Sequence, residues 1–179
     1  YNTIKPHNMD FDVRLVSKEI NELLWNSKKT LSTAESCTAG RISSIITAQP
    51  GSSNYYIGGL VCYATELKVK YLGVSPETIE QHSVVSEEVV REMVAGANKM
   101  FGSDYAVAIS GFAGPGGPDG TGRPGVLIGT IWIAVGSSDN IVTYKIEEDN
   151  GRERNLESAT NKAIHILLDY LKENCPKED

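Results

Sequence analysis

The chain has 179 residues, 40% of them hydrophobic, and a formal net charge of −6, enough for one globular domain with a continuous core. The acidic balance argues against a general nucleic-acid or membrane-surface binder, which needs a basic face, and no apolar run reaches the length of a membrane span. The three cysteines, Cys37, Cys62 and Cys175, show no CxxC or Cys/His ligand spacing, so no structural metal is expected, and with no secretory leader they fit a reducing cytoplasm.

Residues 1–10 carry no period and read as a loose arm, with 11–175 as a single domain. From Phe11, apolar Val13, Leu15, Val16, Ile20, Leu23 and Leu24 recur at helical spacing up to Lys28 and Lys29, cations suited to a helix end. Leu31 to Thr33 read as the end of a buried strand that runs into TAESCTAGR (33–41), and Ile42, Ile45 and Ile46 mark a helix expected over 37–49. Pro50 and Gly51 stop it. Ile57 to Tyr63 has the composition of a buried strand, followed by a short helix over 66–72 and a second one begun by Ser75 and Pro76. Ser86 caps a long amphipathic helix with Val89, Val90, Met93, Val94 and Ala97 inward. Tyr105 to Ser110 is a continuous apolar strand ending in the Gly/Pro-rich stretch 111–125. Strands over 126–135 and 141–146 are joined by a short turn, and a helix from 152 to 173 closes the chain. Strands and helices in near alternation indicate an α/β protein, a three-layer sandwich.

The stretch Glu35 to Gly40 is a small, polar turn between strand and helix. Such a turn leaves backbone N–H groups free for an anion or an oxyanion, and Ser36 within it is either a helix cap or a nucleophile. Cys37 is the rival nucleophile, although free cysteines are mostly inert packing. Tyr63 and Lys68, five positions apart, do not share a helix face; they meet only if Tyr63 ends the strand and Lys68 sits on the next helix. A lysine in that setting can serve as the base of a Ser/Lys pair. Gly111 to Gly117 (GFAGPGG) follows a strand as a phosphate-cradling turn does, yet no GK[ST] follows and no GxGxxG opens a dinucleotide fold. Ser110 is a filler or a pocket hydroxyl. Arg152 and Arg154 stand where a helix dipole disfavours cations, a placement that suits an anion-binding role. His82 and His165 are isolated, so no Ser/His/Asp triad is visible.

Taken together, TAESCTAGR, PGSSNYYIGGLVCYATELKVKYLGV, HSVVSEEVV, ISGFAGPGG and GTIWIAV resemble the C-terminal domain of the competence/damage-inducible protein family CinA, over residues 12 to 173. The resemblance implies a three-layer α/β/α sandwich on a mixed five-stranded sheet with one antiparallel strand. It implies nicotinamide-nucleotide amidase activity without a metal or cofactor, the substrate being a phosphorylated pyridine nucleotide. Carried over by position, the nucleophile is Ser36, assisted by Tyr63 and Lys68. The expected substrate contacts are Thr38, Gly40, Ser110, Gly111, Gly114, Gly116, and Arg152 or Arg154 at the mouth of the last helix. Two departures stand out: the loop 118–125 is long, and Gly151 replaces an expected acid. A homodimer follows from family analogy alone. The competing readings are a non-catalytic nucleotide-binding or regulatory module and a short-chain dehydrogenase; the latter has a Tyr-to-Lys spacing of four and a GxGxxG absent here.

Overall fold

The structure, a computed structural model, describes residues 7–116 and 127–176. Helix α1 (His7–Ser27) leads into β1 (Leu31–Glu35), α2 (Arg41–Thr47), a 3₁₀ turn over Ser52–Asn54, and β2 (Tyr56–Val61). There follow α3 (Thr65–Leu72), α4 (Pro76–His82), α5 (Glu87–Phe101), β3 (Tyr105–Gly111), β4 (Thr130–Gly136), β5 (Ile141–Glu147) and α6 (Arg152–Asn174). The sheet order is β2-β1-β3-β4-β5. Strands β2, β1 and β3 are mutually parallel, while β4 runs against both β3 and β5. It is therefore the one antiparallel strand of a mixed five-stranded sheet, and the fold is the expected α/β/α sandwich.

Alternation along the central strands feeds two cores. Leu31 of β1 and Tyr105, Val107 and Ile109 of β3 pack with α1, α2 and α6. Ala34, Ala106 and Ala108 point the other way, onto Val89, Val90, Met93, Val94 and Ala97 of α5. Both strands are covered on both faces, which is why β3 reads as a nearly unbroken apolar run, whereas β1 buries Ser32, Thr33 and Glu35 with their polar groups hydrogen-bonded. Small side chains on the α5 face let that helix lie close. Gly96 extends the same logic one layer out, because a Cβ there would run into the backbone of Leu72 at the end of α3.

Boundaries differ from the sequence expectations in four elements; of the strand expected over 126–135, β4 begins only at Thr130, because residues 128 and 129 form a turn ahead of it. Helix α1 begins at His7, inside the stretch expected as a loose arm; residues 1–6 lie outside the described residues. The helix expected from residue 37 starts only at Arg41, because Ala39 (φ 48°) and Gly40 (φ 97°) hold left-handed conformations that no right-handed helix accepts. Ser36 is thus no helix cap. Strand β2 ends at Val61 rather than Tyr63, which frees Cys62 and Tyr63 to turn toward α3. The long loop 118–125 lies outside the described residues.

Candidate active site

Parallel strands place their carboxyl ends on one edge of the sheet, where ligands of open α/β folds bind. A cleft of about 400 Å³ opens at that edge, between the ends of β1 and β3, the start of α3 and the first residue of α6. Among its lining are Ser36, Tyr63, Lys68, Ser110, Gly114 and Arg152.

Ser36 directly follows β1, and its N–H donates to the carbonyl of Ile109, 3.2 Å away, so the sheet ladder continues to the backbone of Ser36 itself. Lys68 reaches back from the first turn of α3 and is 1% exposed. Its Nζ donates to Ser36 Oγ at 3.0 Å and to the Cys62 carbonyl at 2.7 Å, with a longer contact to the Tyr63 carbonyl at 3.5 Å. No carboxylate hydrogen-bonds to this amine among the described residues. Burial pulls its pKa down from the ordinary lysine value, since desolvation penalises the ammonium. A neutral amine 3 Å from a hydroxyl is the arrangement a Ser/Lys base pair needs.

Tyr63 enters differently from the expectation. Its phenol is 58% exposed at the cleft rim and accepts a 3.3 Å hydrogen bond from Arg152 Nη2, while only its backbone carbonyl faces Lys68. Arg152 Nη1 donates to the Gly114 carbonyl at 2.7 Å. The first residue of α6 thereby joins the Gly-rich loop to the β2–α3 connection. One turn on, Asn155 is 4% exposed and donates from Nδ2 to the Ala113 carbonyl (3.0 Å) and to Asp149 (2.9 Å), while its Oδ1 accepts from the N–H of Asn150 (2.8 Å). It ties the loop to the helix start. Lys68 and Arg152 give the described lining two basic residues and no acidic one.

The remaining expected contacts divide. Ser110, Gly111, Gly114 and Gly116 all line the cleft, and the Ser110 hydroxyl donates to the Val84 carbonyl at 3.0 Å, fixing the loop ahead of α5. Thr38 and Gly40 do not reach it: the Thr38 hydroxyl is fully buried and donates to Glu35 Oε1 at 2.7 Å, and Gly40 caps α2 beside Val61. Of the two arginines, Arg152 lines the cleft and Arg154 does not. Cys37 lines the cleft too, but burial pushes its thiol up to about 11, leaving it protonated and a poor nucleophile. His82 and His165 pair with Glu88 and Asp12, and neither lines the cleft. Sequence reasoning missed Glu35, Phe112, Asn155 and the pair Val84 and Val85; only Asn155, a polar residue within an apolar helical stripe, left a usable signal. Among the described residues no group of three or more His, Cys, Asp or Glu could hold a metal, and no helix is long and apolar enough to cross a membrane.

Fold and site together define a class: an α/β/α sandwich with a buried serine–lysine pair at the carboxyl ends of parallel strands. The family model described as the CinA C-terminal domain matches residues 14–171. The chain is 39% identical over 158 residues to a CinA-like protein of Flavobacterium psychrophilum, covering 88% of this chain and 37% of that protein. It is 41% identical over 151 residues to one of Thermotoga maritima, covering 84% and 36%. Among solved structures, a competence-damaged protein (CinA) superfamily protein of Klebsiella pneumoniae superposes with a TM-score of 0.83 at 32% identity, covering 90% of this chain and 98% of the other. One from Escherichia coli gives a TM-score of 0.83 at 30% identity, covering 92% and 93%. The chain belongs to the CinA C-terminal domain family. It spans little more than a third of the length of the two CinA-like relatives.

Proposed function

We propose that this cleft hydrolyses the carboxamide of nicotinamide mononucleotide to nicotinate mononucleotide and ammonia. The observation that carries the proposal is the 3.0 Å contact between Lys68 Nζ and Ser36 Oγ, both residues being buried. Neutral Lys68 takes the Ser36 proton as Oγ bonds to the carboxamide carbon, and the tetrahedral oxyanion is met by the backbone N–H of Cys37 in the turn after β1, the Ser36 N–H being bonded to Ile109. The C–N bond then breaks, the leaving nitrogen takes the proton back from Lys68, and ammonia departs. Lys68 next deprotonates a water that attacks the acyl ester, and returns that proton to Ser36 as the nicotinate carboxylate leaves. Tyr63 acts here as a rim residue that holds Arg152 rather than as the proton carrier. The 5′-phosphate lies toward Arg152 and the Gly-rich loop, a cationic end of the cleft suited to charge-assisted bonds.

The test is ammonia release from nicotinamide mononucleotide in the presence of EDTA, by the wild type and by Ser36→Ala. Turnover that survives chelation and disappears in the variant is expected. An inert wild type that still binds the nucleotide would instead make the cleft a binding module.

A further inference from the structure

The turn that carries Ser36 is held by its own neighbour. Glu35 is 1% exposed, and its carboxylate meets four donors. Oε1 accepts from the Thr38 hydroxyl at 2.7 Å and the Ile42 N–H at 2.9 Å; Oε2 accepts from the Ser43 N–H at 3.0 Å and the Ser43 hydroxyl at 2.6 Å. Those N–H groups are the ones a helix start leaves unpaired, so the amino end of α2 is filled from within the chain. The Ser43 hydroxyl, having donated to Glu35, accepts from Tyr56 Oη at 2.9 Å, and Thr33 Oγ1 lies 2.8 Å from both. Gly59 on β2 leaves the room this hydroxyl cluster occupies, since a Cβ there would run into Thr33 and Tyr56.

We infer that Glu35 is the positioning residue of the nucleophile, an inference that rests on Ser36 being the attacking group. Its carboxylate grips Thr38 on the far side of Ser36 and the start of α2 beyond, so both ends of the Ser36–Gly40 turn are fixed to β1. That clamp keeps Ala39 and Gly40 in their left-handed conformations and holds Ser36 Oγ at hydrogen-bond reach of Lys68. Thr38, which the sequence suggests as a substrate contact, belongs to the clamp instead. A second consequence concerns the ligand: with α2 already satisfied, the substrate's anionic group is held at the Arg152 end of the cleft and not at this helix.

The experiment uses a fluorophosphonate probe, which needs the nucleophile and its base but no nucleotide recognition. Ser36 Oγ bonds to phosphorus, the P–F bond breaks, fluoride leaves and the hydroxyl proton passes to Lys68. The wild-type chain, Glu35→Gln and Thr38→Val are labelled over time, and both the rate and the final fraction labelled at Ser36 are read by mass spectrometry. In the glutamine variant an NH₂ faces donors that need an acceptor, so the expected rate falls about tenfold to a hundredfold, the cost of misplacing a reacting group by about an ångström. The final fraction stays complete. Thr38→Val, which deletes one clamp bond at constant shape, falls by a smaller factor. Unchanged rates in both variants would overturn the inference, as would a reduced final fraction at wild-type rate, the signature of lost folding alone. If Glu35→Gln does not fold, an unchanged rate in Thr38→Val overturns it. A wild type that is not labelled at Ser36 removes the nucleophile itself, whatever Glu35 does.

Discussion

Lys68→Met keeps an unbranched apolar stem in the second core and deletes the amine, so it isolates what a buried lysine costs and what it supplies. The native pKa of Lys68 is depressed by burial. In the window between that native value and the ordinary unfolded value of about 10.4, the unfolded chain carries one proton more than the native one. Wild-type stability therefore rises with pH there, by up to about 1.4 kcal/mol per pH unit. The contribution is complete above the unfolded pKa and is lost as pH falls through the native pKa. The methionine variant has no such slope. Burial also raises Tyr55 and Tyr105, but they act alike in both proteins and cancel in the difference. Urea unfolding of both proteins at steps from about pH 6 to pH 10 gives that difference, and it should climb with pH. In the proposed mechanism the same native pKa sets the acid limb of kcat/KM for amide hydrolysis, because only the neutral amine accepts the Ser36 proton. Activity of the variant should fall at least about a hundredfold at every pH. Parallel stability curves for the two proteins would refute the depressed pKa. An acid limb more than about one unit from the onset of the stability rise would refute Lys68 as the base.

Arg152→Ala should raise KM for nicotinamide mononucleotide about tenfold to a hundredfold, the worth of hydrogen bonds to a charged group, with little change for the uncharged nicotinamide riboside; equal losses on both substrates in steady-state kinetics would remove Arg152 from the phosphate end. Cys37, with its thiol pushed up to about 11, has about one thiolate in a thousand molecules at pH 8. Iodoacetamide should modify it slowly, and Cys37→Ala should keep its turnover of nicotinamide mononucleotide; loss of turnover would make Cys37, not Ser36, the nucleophile.

Much of the architecture is legible because burial imposes its period on the chain. The amphipathic stripe of α5 and its Ser86 cap, whose Oγ accepts from the Val89 N–H at 3.3 Å, lie where the pattern puts them. The nearly unbroken apolar run of β3 marks a strand covered on both sides. The turn after β1 is visible as a cluster of small polar residues, although its length is not. Hydrophobic spacing extends the helix back to Cys37, while the left-handed Ala39 and Gly40 delay it to Arg41. Nothing in a periodic pattern distinguishes an alanine in αR from one in αL when a carboxylate next door supplies the compensation.

Spacing along the chain is enough to say where the buried faces, the helices and the irregular glycine-rich segments lie, to within a turn. Which side chains meet follows from how the layers pack. Ser36 and Lys68 are 32 positions apart, and their contact depends on β2 ending at Val61 so that α3 can turn back over β1. Arg152 and Arg154 have equal claims in the sequence; two positions on a helix differ by about 200° in direction, so when α6 packs its Leu156 and Ala159 stripe on the sheet, only Arg152 lines the cleft. Glu35 reads in the sequence as an ordinary acid ahead of a serine. Its four donors come from Thr38, Ile42 and Ser43, three residues brought to one carboxylate by the reversal of the chain. Hydrophobic burial follows one-dimensional spacing, whereas hydrogen bonds of this kind depend on ångström-scale distances that exist only once the layers have packed.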